Sequence, residues 1–217
     1  MNESVLRLAF KMVNAYLVRA GDGFILIDTG FRSNRKALAS VLIGAGCGVG
    51  DLKLIVITHG DADHSSNAVY LRQKYGAKIA MHRAEVDAVE SGDMFQSRGQ
   101  PSPMRRLMKP LMSLFKLKKG DRFTPDVLLA EGDRLTEYGL DATVLHVPGH
   151  TRGSLAVLTA DGAFFSGDFL ENRTRPSIAT FVDDATVLRA EFERIKALNI
   201  QTVYPGHGKP FALDEID

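Results

Sequence analysis

The chain has 217 residues, 45% hydrophobic and 24% charged, the balance of an ordinary globular protein and not of a disordered or fibrous one. Its 27 Lys and Arg against 26 Asp and Glu leave a formal net charge of +1, so no global field draws it to nucleic acid or to an anionic membrane. The single cysteine, Cys47, excludes an internal disulfide and a thiolate metal cage.

No linker-like stretch divides the chain, so one domain over 1–217 is expected. Met1 to Ala20 is interrupted by Glu3, Arg7, Lys11 and Arg19 and lacks the unbroken apolar core of a secretory signal. No other stretch reaches the length of a membrane span, and a cytoplasmic location is the default expectation.

In chain order, residues 4–10, 13–19 and 23–28 read as a meander of three short strands, broken at Lys11–Met12 and at Ala20 to Gly23. Ala37, Leu38, Val41 and Leu42 then recur at helical spacing until Gly44-Ala45-Gly46 stops the run. Leu54-Ile55-Val56-Ile57 is continuously apolar, as a strand covered on both faces should be. A helix is predicted over about 65–75, a strand over 78–81 and another helix over 83–90.

Residues 91–125 carry four prolines, three glycines and many Met, Lys and Arg without a clear strand, and read as an insertion or lid. Beyond it, 142–147, 154–159 and 163–167 read as strands, separated by Pro148-Gly149 and by Asp161-Gly162. Asp183 or Asp184 can cap a helix presenting Leu188, Phe192, Ile195 and Leu198 on one face, and Val203-Tyr204 forms a last short strand. This doubled order of hairpins and mixed α/β units predicts two sheets packed face to face with helices outside.

Chemistry concentrates after the buried strand, where His59, Asp61, Asp63 and His64 fall within six positions. The crevice beyond strand ends is where open α/β sheets bind ligands. His150 follows Pro148-Gly149, Asp168 follows Gly167 and His207 follows Pro205-Gly206, so each sits at a strand end next to a glycine. Imidazole and carboxylate are donors for zinc, iron or manganese, and glycine lets the backbone turn tightly enough to aim them. Any one of these residues alone reads as an ordinary surface-loop side chain; seven together at strand ends read as a metal centre.

Thr58-His59-Gly60-Asp61-Ala62-Asp63-His64, with Pro148-Gly149-His150-Thr151, Ser166-Gly167-Asp168 and Pro205-Gly206-His207, resembles the metallo-β-lactamase fold superfamily of hydrolases. Asn14 to Leu17 and Ile25 to Gly30 match its opening hairpins, and the resemblance runs from about residue 13 to 209. It implies an α/β fold, a four-layer αββα sandwich. It also implies one metal held by His59, the residue at 61 and His150, a second held by Asp63, His64 and His207, and Asp168 bridging them. Asp28 would steady a ligand imidazole from behind; its simpler reading is a turn former before Thr29-Gly30.

One position departs from the family pattern, which has His where this chain has Asp61. Two divalent cations against Asp63, Asp168 and a bridging hydroxide leave one net positive charge, which Asp61 takes to zero. A less positive site acidifies water less, and the added oxygen donor admits manganese or iron beside zinc. Two metals are expected; the alternative is a weak first site with only the second occupied, and Asp61 as a nearby base or as an acceptor just outside the ligand set.

The resemblance implies a metal-dependent hydrolase that uses a metal-bound hydroxide on an ester, lactone or thioester, with Asp63 relaying a proton to the leaving group. The alternatives are a phosphodiesterase or nuclease of the same fold and a non-catalytic metal-binding sensor. Asp at 168, where many zinc β-lactamases carry Cys, disfavours antibiotic hydrolysis as the native task. The expected partner is a small-molecule substrate, not nucleic acid.

Three weaker signals remain. His82 and His146 fit no ligand pattern and read as structural or surface histidines, with a substrate-pocket role as the other option. Cys47 reads as a buried or incidental thiol. Residues 104–122 form a basic amphipathic stretch, interrupted by Pro110, that reads as a solvated helix, a lid, or a weak contact to a membrane surface or nucleic acid.

Overall fold

The computed structural model describes residues 4–95, 98 and 116–216. Strands β1 (Val5–Ala9), β2 (Asn14–Ala20) and β3 (Gly23–Ile27) form the expected antiparallel meander. β4 (Leu52–Val56), β5 (Lys78–His82) and β6 (Val127–Leu129) extend it as parallel neighbours, giving a six-stranded sheet in chain order. The second sheet has β7 (Ala142–His146), β8 (Leu155–Thr159) and β9 (Ala163–Gly167) in antiparallel order, with β12 (Thr202–Pro205) parallel to β9 on its edge. β10 (Leu170–Glu171) and β11 (Ser177–Ile178) make a two-residue ladder absent from the sequence reading.

Side-chain alternation builds the layers. Ile25 and Ile27 of β3 and Leu54 and Val56 of β4 face inward, where they meet Val144, Leu155, Val157 and Phe165 of the second sheet. Leu26 and Ile55, one residue out of phase, face the opposite way onto helix α1 (Arg35–Gly44) and helix α3 (Ala68–Tyr75) through Leu38, Leu42 and Leu71. The continuous run over 54–57 is thus apolar because each face of β4 is covered. On the far side, Ala156, Phe164 and Val203 pack under Leu188, Phe192 and Ile195 of helix α5 (Ala185–Lys196). Each fully buried Leu, Ile or Phe contributes about 1.5–3 kcal/mol relative to exposure. The result is the αββα sandwich.

Two helices differ from the sequence reading. The helix predicted over 65–75 is split into α2 (Ala62–Ser65) and α3, because Asn67 is drawn out of the helix between them. Its amide donates to the carbonyls of Thr29 and Phe31, each at 2.8 Å, and its backbone N–H donates to Thr29 Oγ1 at 3.1 Å. The helix predicted over 83–90 begins as a 3-10 turn, Arg83–Glu85, before α4 (Val86–Ser91). Of the two candidate caps for α5, Asp184 accepts from the N–H groups of Thr186 and Val187, at 2.9 and 3.0 Å, while Asp183 turns toward the site. Most of the amphipathic stretch 104–122 lies outside the described residues.

His82 and His146 pair with each other, rings stacked at 4.4 Å and 10°. Burial and the neighbouring His146 imidazole push His82 below its ordinary pKa, with Glu85 opposing. The unfolded chain therefore binds this proton more readily, so the contribution is intact above about pH 6.5 and is lost as pH falls through the lower folded-state value. The loss of thermal midpoint between about pH 7.5 and about pH 5.5 is expected to be smaller in His82→Gln than in the parent; equal losses would contradict the assignment. Cys47 is buried in the outer core, where burial pushes its thiol up to about 11, as befits a packing residue.

Candidate metal centre

Five strand ends meet at one rim of the sandwich: Asp28 follows β3, residues 59–64 follow β4, His150 follows β7, Asp168 follows β9 and His207 follows β12. The turn that carries His150 is pressed onto α5. A Cβ on Gly149, whose φ is +130°, would stand 2.6 Å from Leu188 Cβ and 2.8 Å from its backbone nitrogen, so only glycine fits.

Each imidazole is held through Nδ1. His64 donates from Nδ1 to Asp28 Oδ2 at 2.7 Å, and His150 donates from Nδ1 to the Phe181 carbonyl at 2.6 Å. His207 donates in the same way to the Met12 carbonyl. Thr58 spends its hydroxyl proton on Asp28 and accepts from His59 Nδ1 at 3.1 Å. Such outer contacts fix tautomer and ring direction, and leave the four Nε2 atoms facing inward.

Those Nε2 atoms meet three carboxyls. His59 and His150 each lie 3.6 Å from Asp61 Oδ2. His207 lies 3.5 Å from Asp63 Oδ2 and 3.1 Å from Asp168 Oδ2, and His64 lies 3.2 Å from Asp168 Oδ1. Asp168 Oδ2 is also 3.8 Å from His150 Nε2, so this carboxyl spans both halves of the cluster. Donors around a tetrahedral zinc at bond lengths near 2.1 Å stand roughly 3.4 Å apart, which matches these separations.

Three groups among the described residues could hold a metal ion: His59, Asp61 and His150; His59, His64 and Asp168; and Asp63, His64 and His207. The buried atoms His59 Nε2, His64 Nε2, Asp61 Oδ1 and Asp168 Oδ1 have no hydrogen-bond partner. Orphaned acceptors at such density are costly unless a cation satisfies them, and the donor set fits one. All seven candidate ligands of the sequence reading are thus brought together, with Asp28 behind His64.

Electrostatics follow from the packing. Burial pushes the Asp61 carboxyl up, but the Arg98 guanidinium and the His150 and His59 imidazoles outweigh it and hold it well below the usual carboxylate range. Burial likewise opposes charge on Asp168, yet His64 and His207 bring it well below that range. His64 is driven the other way, since Asp168, Asp28 and Asp63 overcome burial and raise it well above the ordinary histidine value.

Sequence reasoning missed Arg98 and Glu85. Arg98, buried against the cluster, donates from Nη2 to Asp61 Oδ2 at 2.5 Å. Glu85, fully buried, accepts from the N–H groups of Gly60 at 2.8 Å and Gly153 at 3.0 Å, tying the 59–64 loop to the segment beyond His150. The signal for Arg98 was the extra carboxylate at 61, which calls for a cation; the signal for Glu85 was a lone acid in an otherwise apolar helix face.

Above the cluster opens a cleft of about 410 Å³. Met12, Phe31, Met94 and Phe181 line it with apolar side chains, Glu171, Arg173 and Thr180 with polar ones, and Asp61, Asp63, His150, Asp168 and His207 form its floor. Gly206 lies beside the floor: a Cβ there would stand 2.3 Å from Asp168 Oδ1 and 2.7 Å from His64 Cε1. Gly206→Ala is therefore expected to fold but to lose most of its metal, read by elemental analysis beside thermal unfolding; parental metal content would contradict this.

The Metallo-beta-lactamase superfamily model matches residues 8–207, and the chain belongs to that superfamily. It is a metal-dependent hydrolase with an α/β sandwich fold. It is 25% identical over 218 residues to the acyl-coenzyme A thioesterase MBLAC2 of Gallus gallus, covering 94% of this chain and 75% of that one. It is 30% identical over 122 residues to the hydroxyacylglutathione hydrolase GloC of Haemophilus influenzae, covering 55% of this chain and 50% of that one. Among solved structures it resembles TTHA1623 in a di-iron-bound form, with TM-score 0.73 and 25% identity over 97% of this chain and 95% of that one. Among the described residues no helix is long and apolar enough to cross a membrane.

Proposed function

We propose that the enzyme hydrolyses thioesters of small acyl carriers at a centre for two divalent ions. The observation that carries this reading is the convergence of four anchored Nε2 atoms and three carboxyls beneath a cleft lined by both apolar and polar side chains. His59, Asp61 and His150 would hold one ion, Asp63, His64 and His207 the other, with Asp168 shared between them. Divalent ions bound there supply Lewis acidity for the carbonyl oxygen and a water acidic enough to attack at neutral pH. Zinc suits the imidazoles, and three carboxyls admit manganese or iron; the di-iron form of TTHA1623 supports the latter.

The chain's own residues set the rest. Met12, Phe31, Met94 and Phe181 would take an apolar acyl group and exclude water, while Arg173 and Thr180 would orient the carrier. A departing thiol of pKa about 8.5 leaves largely as the thiolate and demands little proton transfer. Asp63, whose side chain at 22% exposure is the most open carboxyl of the cluster, would carry what proton is needed to the departing atom. The acyl-coenzyme A thioesterase and hydroxyacylglutathione hydrolase relatives support a thioester over a phosphodiester. The free, buried thiol of Cys47 suits a reducing compartment, and a cytoplasmic setting is part of the proposal.

The test is a panel of acyl-coenzyme A and acyl-glutathione thioesters, lactones and phosphodiesters, assayed with zinc, manganese and iron supplied in turn. The expected order by kcat/KM puts a thioester first. Preference for a phosphodiester, or metal-loaded protein inert on every substrate, would overturn the reading.

A further inference from the structure

Arg98 is placed where a cation in the Asp61 half of the centre would draw its oxygen. Its Nη2 donates to Asp61 Oδ2 at 2.5 Å, and that oxygen is the one 3.6 Å from both His59 Nε2 and His150 Nε2. The same Nη2 is 3.5 Å from His150 Nε2.

The guanidinium is held through both Nη atoms and over one face. Nη1 donates to the His150 carbonyl at 3.1 Å and to Asp183 Oδ1 at 3.3 Å, and the plane lies 5.0 Å above the Phe181 ring. Arg152 in turn donates to the Arg98 carbonyl at 2.9 Å. The Arg98 side chain has no exposure to solvent.

Among the described residues no comparable cation touches the other half. Among the contacts of Asp63, His64, His207 and Asp168, the partners are imidazoles, carboxylates and the Met12 carbonyl. Histidine at 61 would leave the guanidinium only Asp183 Oδ1, at 3.3 Å, as a countercharge, whereas aspartate adds a second and closer buried one. The exchange at 61 and the arginine at 98 are therefore one feature.

We propose that Arg98 is a positioning residue that makes the two halves of the centre unequal: the half built on Asp63, His64, His207 and Asp168 takes its ion first and tightly. The half built on His59, Asp61 and His150 takes its ion weakly, because Arg98 must yield Asp61 Oδ2 to it. This rests on the metal-centre reading above.

The experiment is a manganese and zinc titration of the metal-stripped full chain, by calorimetry with elemental analysis, for the parent, Arg98→Gln and Arg98→Met, with circular dichroism to confirm the fold. The parent is expected to bind in two steps at least tenfold apart. Removing the guanidinium charge should tighten the second step at least tenfold and leave the first unmoved. A merely structural role for Arg98 would loosen both steps together. Two equal steps in the parent, or an unchanged ratio in the folded variants, would overturn the proposal even if neither variant changed in activity. Uptake of no ion by the parent would instead sink the metal-centre reading itself.

Discussion

Replacing Asp168 by asparagine is expected to lower metal retention and turnover by at least about a hundredfold, beyond the 10–100-fold that partners behind the ligands are worth. Asp168 is the carboxyl shared by the whole cluster: its oxygens lie 3.1 Å from His207 Nε2, 3.2 Å from His64 Nε2 and 3.8 Å from His150 Nε2. The amide keeps the shape but removes the charge, and it turns one acceptor into a donor facing imidazole nitrogens. The backbone contacts around the site, such as Phe169 N–H to the Ser166 carbonyl at 3.0 Å, do not involve this side chain. The fold should therefore survive. Elemental analysis and kcat/KM on the same preparation check the expectation, and parental values in both would refute it.

Asp28 should separate geometry from charge in a different way. It is the one non-glycine among the described residues with positive φ, at 58°, a region that Asn and Asp enter far more readily than other side chains. From there its carboxylate accepts from the Thr58 N–H at 2.9 Å, the Thr58 hydroxyl and His64 Nδ1 at once. Asp28→Asn retains the backbone tolerance but sets an amide donor or a neutral acceptor against His64. Metal affinity is expected to fall about 10–100-fold with the fold intact. Asp28→Ala adds the left-handed strain, about 1–2 kcal/mol, to the lost bonds, and should also lower the thermal midpoint of the metal-free protein. Chelator competition and thermal unfolding measure the two effects; an Asn variant with parental affinity would deny Asp28 its role behind His64.

Much of this was legible because period and position coincide. The run Leu54 to Ile57 predicts a strand covered on two faces, and the outer and inner cores place its alternate residues against α1 and the second sheet. The seven candidate ligands follow strand ends, so knowing the strands nearly gives the rim. The short ladder of β10 and β11 and the strand β6 were invisible, since two or three residues carry no period. The break at Asn67 was hidden for another reason: its cause lies in carbonyls at 29–31, nearly forty residues away in sequence. Arg98 belongs to the same class. Nothing in its neighbours marks it, and only the surplus carboxylate at 61 implies that a cation must arrive from elsewhere in the chain.

The most direct measurement is anomalous diffraction from crystals of the purified protein at the absorption edge of the metal that elemental analysis finds. The expected result is a strong peak among Asp63, His64, Asp168 and His207, with a second, weaker one beside Asp61. A map with no peak among these side chains, or with its peak elsewhere on the molecule, would contradict the metal centre.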